Sequence, residues 1–147
     1  QYIEPTGRFA HFLDDPYVQR VDRAPLTDEV TFAFIGGGFA GLVTGARVKQ
    51  AGIDDVRIVE GGGDVGGAWY WNRYPGAVCD TAAMIFLPML EETGRMPSAK
   101  YVFAPEIHAP AKAIATQYGL DRRALLSTEV ESVTWDDDFS LIELRFN

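Results

Sequence analysis

At 147 residues, with 47% hydrophobic and 23% charged residues, the chain has the size and balance of one globular domain, which argues against extended disorder. Its net charge of −8, with Lys and Arg scattered, argues against a nucleic-acid surface, because neutralising phosphates needs clustered cations. A single cysteine, Cys79, excludes an internal disulfide framework and fits a reducing, cytoplasmic setting. The longest strongly apolar stretch, Thr81 to Leu90, is about half a bilayer span and contains Pro88, so no membrane segment is expected. No basic start leads into an apolar run, so no secretory signal is expected either.

Residues 1–29 are polar, broken by Pro5, Pro16 and Pro25, and read as a surface-hugging leader with at most one helical turn around Phe9 to Leu13. From Val30 to Ile35 a nearly continuous apolar run suits a strand buried on both faces of a parallel sheet. Gly36-Gly-Gly-Phe-Ala-Gly41 follows, then a helix from Phe39 to Ala51 stopped by Gly52. Asp55 to Glu60 is a second strand, completing a βαβ unit. Residues 61–80, rich in Gly and aromatics, read as a long ordered loop, and such loops are commonly functional. Thr81 to Glu92 suits a short helix broken near Pro88, and Gly94 to Tyr101 a loop. A helix is expected over Pro105 to Tyr118, with Pro110 forcing a kink or a late start. Leu126 to Trp135 and Leu141 to Phe146 read as a hairpin around Asp136-Asp-Asp-Phe139.

The Gly-x-Gly-x-x-Gly run sits between a strand and a helix, which is the context that gives it meaning. Gly36 permits the tight turn, Gly38 lets a pyrophosphate approach the backbone, and Gly41 allows close helix–sheet packing. The helix N-terminus offers free N–H groups to phosphate. Glu60, 24 residues after Gly36, is placed to accept hydrogen bonds from ribose hydroxyls. The competing reading is a glycine-rich turn of an unrelated α/β domain with Glu60 a solvated strand end. On these residues alone the dinucleotide is NAD or FAD.

After Glu60 comes Gly61-Gly-Gly-Asp-Val-Gly-Gly-Ala-Trp69-Tyr-Trp-Asn-Arg-Tyr-Pro-Gly76, then Ala-Val-Cys-Asp80. Paired glycines let backbone press on a flat ring system, and Trp rings form rigid walls. The run resembles the Gly-Gly-x-Trp-x-Trp-Asn-x-Tyr-Pro-Gly-x-x-x-Asp segment of Baeyer–Villiger monooxygenases, within the class B flavin-dependent monooxygenases. The match is specific over Val30 to Asp80 and looser to the Thr128-Glu-Val130 strand.

The resemblance implies an incomplete Rossmann-like FAD-binding α/β domain: a parallel sheet with flanking helices plus a β-hairpin. Residues 30–147 would be its N-terminal part, with the NADPH domain and the remaining FAD-domain wall outside the chain. It implies FAD and NADPH as cofactors, and a small-molecule ketone with O2 as substrates. Gly36, Gly38, Phe39, Ala40 and Gly41 would form the pyrophosphate turn, and Glu60 would hold the adenosine ribose. Gly67, Ala68 and Trp69 would line the phosphate and ribityl portion, with Trp71 and Asn72 near the flavin edge. Asp80 would be the catalytic acidic residue that orients an arginine near the flavin ring, and Val130 would touch the adenine through its backbone. Ala68, Ala82 and Ala83 depart from the family, which usually carries polar groups at the last two positions. An uncovered sheet edge would invite self-association.

Other readings stay open for single residues. Trp69, Trp71 and Tyr74 suit core aromatics, Asp80 suits a helix cap, and Cys79 a small buried hydrophobe. His11 and His108 lack a second ligand cluster, and Asp136–Asp138 is too short for a calcium loop, so no metal is expected. FAD-dependent N- or S-oxygenation, or a non-catalytic flavin-binding module, remain alternatives to ketone oxidation.

Overall fold

A computed structural model describes residues 6–11, 14–24 and 26–147; Pro5, Leu13 and Pro25 lie outside the described residues. Within the leader a single 3-10 turn, Gly7–Phe9, meets the stretch expected to turn, Phe9 to Leu13, only at Phe9; Phe12 and Leu13 lie outside the described residues. Strand β1, Phe32–Ile35, pairs in parallel with β2, Val56–Val59, in register from Phe32 opposite Val56 to Ile35 opposite Val59. Helix α1, Phe39–Gln50, connects them and ends before Gly52, whose φ of +87° turns the chain. Leu125 adds a parallel rung to the far edge of β2: its N–H reaches the Ile58 carbonyl at 2.8 Å and its carbonyl accepts Glu60 N–H at 2.8 Å.

That placement makes β2 the inner strand, and all four of its residues are buried. For β1 the expected burial on both faces is not met: Phe32 is 39% exposed and Ile35 58%. Among the described residues β1 is paired along one edge only.

Helix α5, Ala104–Gln117, packs against α1 and closes the main core of Leu42, Ala46, Ile58, Ile114 and Leu120. Full burial of each such Leu or Ile is worth roughly 1.5–3 kcal/mol. Gly45 allows the close contact, since a Cβ there would stand 3.2 Å from the Leu120 side chain. Ile107, one face further along α5, belongs to a second core with Ala83, Leu87 and Val102.

Of the late start or kink expected at Pro110, the late start is corrected: the helix runs from Ala104, with Pro105 in its first turn and Pro110 inside it. Pro110 is buried against the core, and that burial offsets the one backbone N–H the helix loses there. The break near Pro88 is present. One-turn helices α3, Ala83–Phe86, and α4, Leu90–Thr93, flank it, with Met89 left-handed at φ 57°. The hairpin pairs β3, Val130–Asp136, with β4, Leu141–Phe146. Its first strand starts at Val130 and not at Leu126, because Leu125 to Thr128 bond to β2 and the loop after it. Among the described residues no helix is long and apolar enough to cross a membrane.

Candidate functional site

The end of β1 and the start of α1 form a turn that only glycine can build. Gly36 has a φ of +101° and donates its N–H to the Val59 carbonyl at 2.8 Å, so the turn leaves directly from the sheet. A Cβ on Gly41 would stand 2.1 Å from the Gly36 carbonyl oxygen, which fixes how closely α1 can approach. Gly38 caps α1 in extended conformation with no side-chain partner, and its carbonyl accepts the N–H of Leu42. The first-turn N–H groups at Phe39, Ala40 and Gly41 precede that bond and point out of the helix end.

Glu60 is only 7% exposed and acts as a clasp. One carboxylate oxygen accepts the N–H of Gly37 at 2.5 Å, and the other accepts that of Gly62 at 2.7 Å. The acid at the strand end therefore holds both the turn before it in space and the loop after it in sequence.

The second glycine segment is folded onto the first. Gly66, at φ +134°, donates its N–H to the Gly37 carbonyl at 2.9 Å. Gly67, at φ +55°, lies so close that a Cβ on it would be 2.8 Å from the Gly38 Cα. A one-turn helix α2, Ala68–Trp71, starts there. Trp69 is half-buried and meets Phe86 edge to face at 5.8 Å; Phe39 meets the same ring at 5.9 Å. The residues expected to contact phosphate and ribityl groups thus lie close together, with the Gly38 and Gly67 backbones in contact and the Phe39 and Trp69 rings both against Phe86.

Other expected positions fall differently. Trp71 is 41% exposed and Tyr74 63%, so neither is a core aromatic. The Asn72 side-chain amide donates back to the Ala68 carbonyl at 2.8 Å. Asp80 is exposed and makes no hydrogen bond among the described residues; α3 is capped by Ala82 without a side-chain bond, so the capping role expected for Asp80 is not present. Val130 opens β3 opposite Phe146, two residues beyond Thr128, whose N–H reaches the Glu60 carbonyl at 2.9 Å. Cys79 is half-buried at the edge of the second core. Among the described residues there is no cluster of metal ligands.

One aromatic within the loop, Tyr70, and three side chains outside it, Asp15, His108 and Lys112, hold its shape. Tyr70 is fully buried, with the Trp71 ring edge-on to it at 5.0 Å. A Cβ on Gly62 would stand 2.9 Å from its ring, so this glycine serves Tyr70. Burial and the bond it donates to the Asp15 carboxylate, 2.5 Å away, push the Tyr70 hydroxyl up to about 12. Asp15 itself is held below the usual carboxylate range: burial works against this, but the Tyr70 hydroxyl and three backbone N–H groups outweigh it. From the other side, His108 on α5 donates Nε2–H to the Val65 carbonyl at 2.8 Å, and Lys112 pairs with Asp64 at 2.6 Å.

The chain matches the NAD(P)-binding Rossmann-like domain family over residues 35–99. It is 48% identical over 141 residues to neopentalenolactone D synthase of Streptomyces avermitilis, covering 95% of this chain and 24% of that protein. It is 47% identical over 138 residues to a Baeyer–Villiger monooxygenase of Streptomyces coelicolor, covering 93% and 23%. In fold it is similar to the polycyclic ketone monooxygenase of Thermothelomyces thermophila, with a TM-score of 0.88, 36% identity, and coverage of 96% of this chain and 24% of that one. It is also similar to an FAD-bound form of OTEMO, with a TM-score of 0.73, 26% identity, and coverage of 80% and 22%. The chain therefore spans about a quarter of the length of the relatives it matches, and over that quarter its likeness is to Baeyer–Villiger monooxygenases in both sequence and fold.

Proposed function

We propose that this chain supplies the FAD-binding surface of an NADPH-using flavin monooxygenase that inserts oxygen beside a small-molecule ketone carbonyl. One observation carries the reading: the Gly36–Gly41 turn and the Gly66–Gly67 segment touch, with Glu60 holding Gly37 of the turn and Gly62 of the loop that leads to Gly66. A Cβ at Gly67 would fill the approach, so the surface is a cradle of bare backbone next to a helix N-terminus. Such a cradle fits a pyrophosphate joined to a longer, flat group better than it fits a compact ligand.

In this reading residues 1–29 are a leader and 30–147 the first part of the FAD domain. The N–H groups of Gly38, Phe39, Ala40 and Gly41 bind the pyrophosphate, and Gly36 sets the turn. Glu60 has lone pairs left beyond its two backbone partners, and these accept the ribose hydroxyls. The backbone of Gly67 and Ala68 lies along the ribityl chain, with Trp69 as a wall. Trp71, Asn72 and Asp80, all exposed, face the flavin edge, where Asp80 orients a cationic partner for the reaction. The backbone of Val130 meets the adenine. The flavin, when bound, supplies the redox chemistry with O2. This chain's residues bind it, orient it and shield one side of it from water.

The unpaired edge of β1, with Phe32 and Ile35 part-exposed, supports self-association when nothing else covers it. A lone half-buried cysteine suits a reducing cytoplasm.

The absorption spectrum of the purified full-length protein tests the function. Flavin bands that bleach on adding NADPH, together with ester or lactone formed from a cyclic ketone, support it. A protein that shows no flavin bands after FAD addition overturns it.

A further inference from the structure

The leader is tied to the loop at a point where the loop has no side chain. A Cβ on Gly63 would stand 2.5 Å from Val18 Cβ, so the leader lies directly on this glycine. Next to it, Asp15 gathers four donors: one oxygen accepts the N–H groups of Tyr17 and Val18 at 2.8 and 3.2 Å. The other oxygen accepts the Gly63 N–H at 2.8 Å and the Tyr70 hydroxyl at 2.5 Å. Tyr17 continues the contact, its ring edge-on to Tyr70 at 5.6 Å and its hydroxyl donating to the Trp71 carbonyl at 3.1 Å. The Arg73 guanidinium is clamped between the Tyr17 and Tyr70 rings, 3.9 and 4.3 Å from their centroids.

Local turn geometry does not require this. Two of the four Asp15 bonds close its own turn, but the other two run to residues 48 and 55 positions away. A carboxylate that accepts four donors across two segments fixes those segments relative to each other, because hydrogen bonds to a charged group are the strong ones. The fixed segment runs straight into Gly66, Gly67 and Trp69, the surface assigned above to the flavin.

We propose that residues Asp15–Val18 form a strap that sets the shape of the 61–73 loop for the cofactor, with Asp15 as a positioning residue. The inference rests on the FAD reading for its consequence, but the strap itself does not. All four donors to Asp15 come from the protein itself. Asp15 acts through Gly63 and Tyr70.

The test uses the full-length protein as wild type, Asp15→Ala, Tyr70→Phe and, as a control in the same leader, Asp14→Ala. Two quantities are read: amide hydrogen exchange of the apoprotein, and the FAD dissociation constant from flavin fluorescence. Asp15→Ala is expected to speed exchange at Gly63 and Trp71 about tenfold or more, and to weaken FAD by a similar factor. Amides of α1 and α5 keep their wild-type exchange, and Asp14→Ala matches wild type in both readouts. Tyr70→Phe, which removes one of the four donors, gives a smaller change at the same amides. Should Asp15→Ala lose protection everywhere, Tyr70→Phe decides. Unchanged loop exchange in Tyr70→Phe, or in a well-folded Asp15→Ala, overturns the strap. A faster loop in a protein that never binds FAD upholds the strap and overturns the flavin reading instead.

Discussion

Gly66 donates its backbone N–H to the carbonyl of Gly37 at 2.9 Å, and this bond joins two glycine motifs that lie 29 positions apart. It leaves Gly67 against Gly38 with no room for a side chain on the 67 side. Gly67→Ala must therefore both adopt a φ of +55° and push the turn away. The expected cost is about 1–3 kcal/mol of stability, measured by urea unfolding. FAD affinity should fall more than the stability loss alone explains, because the displaced atoms belong to the phosphate turn. A variant with wild-type FAD binding would separate the contact from the site.

Glu60 offers a second test. Glutamine at this position keeps the shape but has one acceptor where Gly37 and Gly62 each present a donor. Its amide N–H group then faces a backbone N–H in a nearly dry site. Glu60→Gln should lose about 1–3 kcal/mol and shed FAD readily on gel filtration. A substitution that lowers FAD affinity without changing the melting temperature would mean that Glu60 serves the ribose alone.

The βαβ unit was legible because its signals are local: an apolar run, glycines at fixed spacing, a helix stopped at Gly52 and an acid at the next strand end. The match to the Rossmann-like family, residues 35–99, covers the glycines, the helix and the second strand. What was not legible depends on contacts made far along the chain. The solvent exposure of β1 follows from which neighbours flank it, and strand composition carries no record of that. Tyr70 sits between Trp69 and Trp71, and contacts with residues remote in sequence, Asp15 and Tyr17 among them, mark it as the fully buried one of the three. Nor does the run Gly61-Gly-Gly63 disclose its own use: Gly62 makes way for Tyr70 and Gly63 for Val18. Pro110 misled for the opposite reason: a local rule was outweighed by burial against the core.

The titration of Asp15 and Tyr70 gives the fold a two-sided pH profile. Asp15 has a folded pKa below its unfolded one, so its contribution is present above about pH 4 and is lost as pH falls through the folded value. Asp28 and Asp55 act in the same direction, held low by hydrogen bonds from Arg57 and Arg123. Tyr70 has a raised folded pKa of about 12, so its contribution is complete below pH 10 and disappears between 10 and 12. Unfolding followed by tryptophan fluorescence should show both limbs. Tyr70→Phe should remove the alkaline limb assigned to this residue and leave the acid limb of Asp28 and Asp55 in place.

The leader has a second anchor, and it makes a separate prediction. Asp28 holds Arg57 on β2 through two bonds of 2.5 and 2.7 Å, while the Arg57 side chain is 10% exposed and its Nε has no partner. Removing the carboxylate strands a buried guanidinium that is already one bond short, and an unpaired buried charge costs more than the pair contributes. Asp28→Ala should therefore destabilise several times more than Glu143→Ala, which breaks the exposed pair with Arg145. Adding Arg57→Met to Asp28→Ala should restore most of the loss, since a flexible apolar side chain of similar length fills the same space without a charge. Urea midpoints of the two single variants and the double variant form the cycle that checks this. Additive losses would show that Arg57 reaches solvent when Asp28 is removed, and that the charge is not trapped.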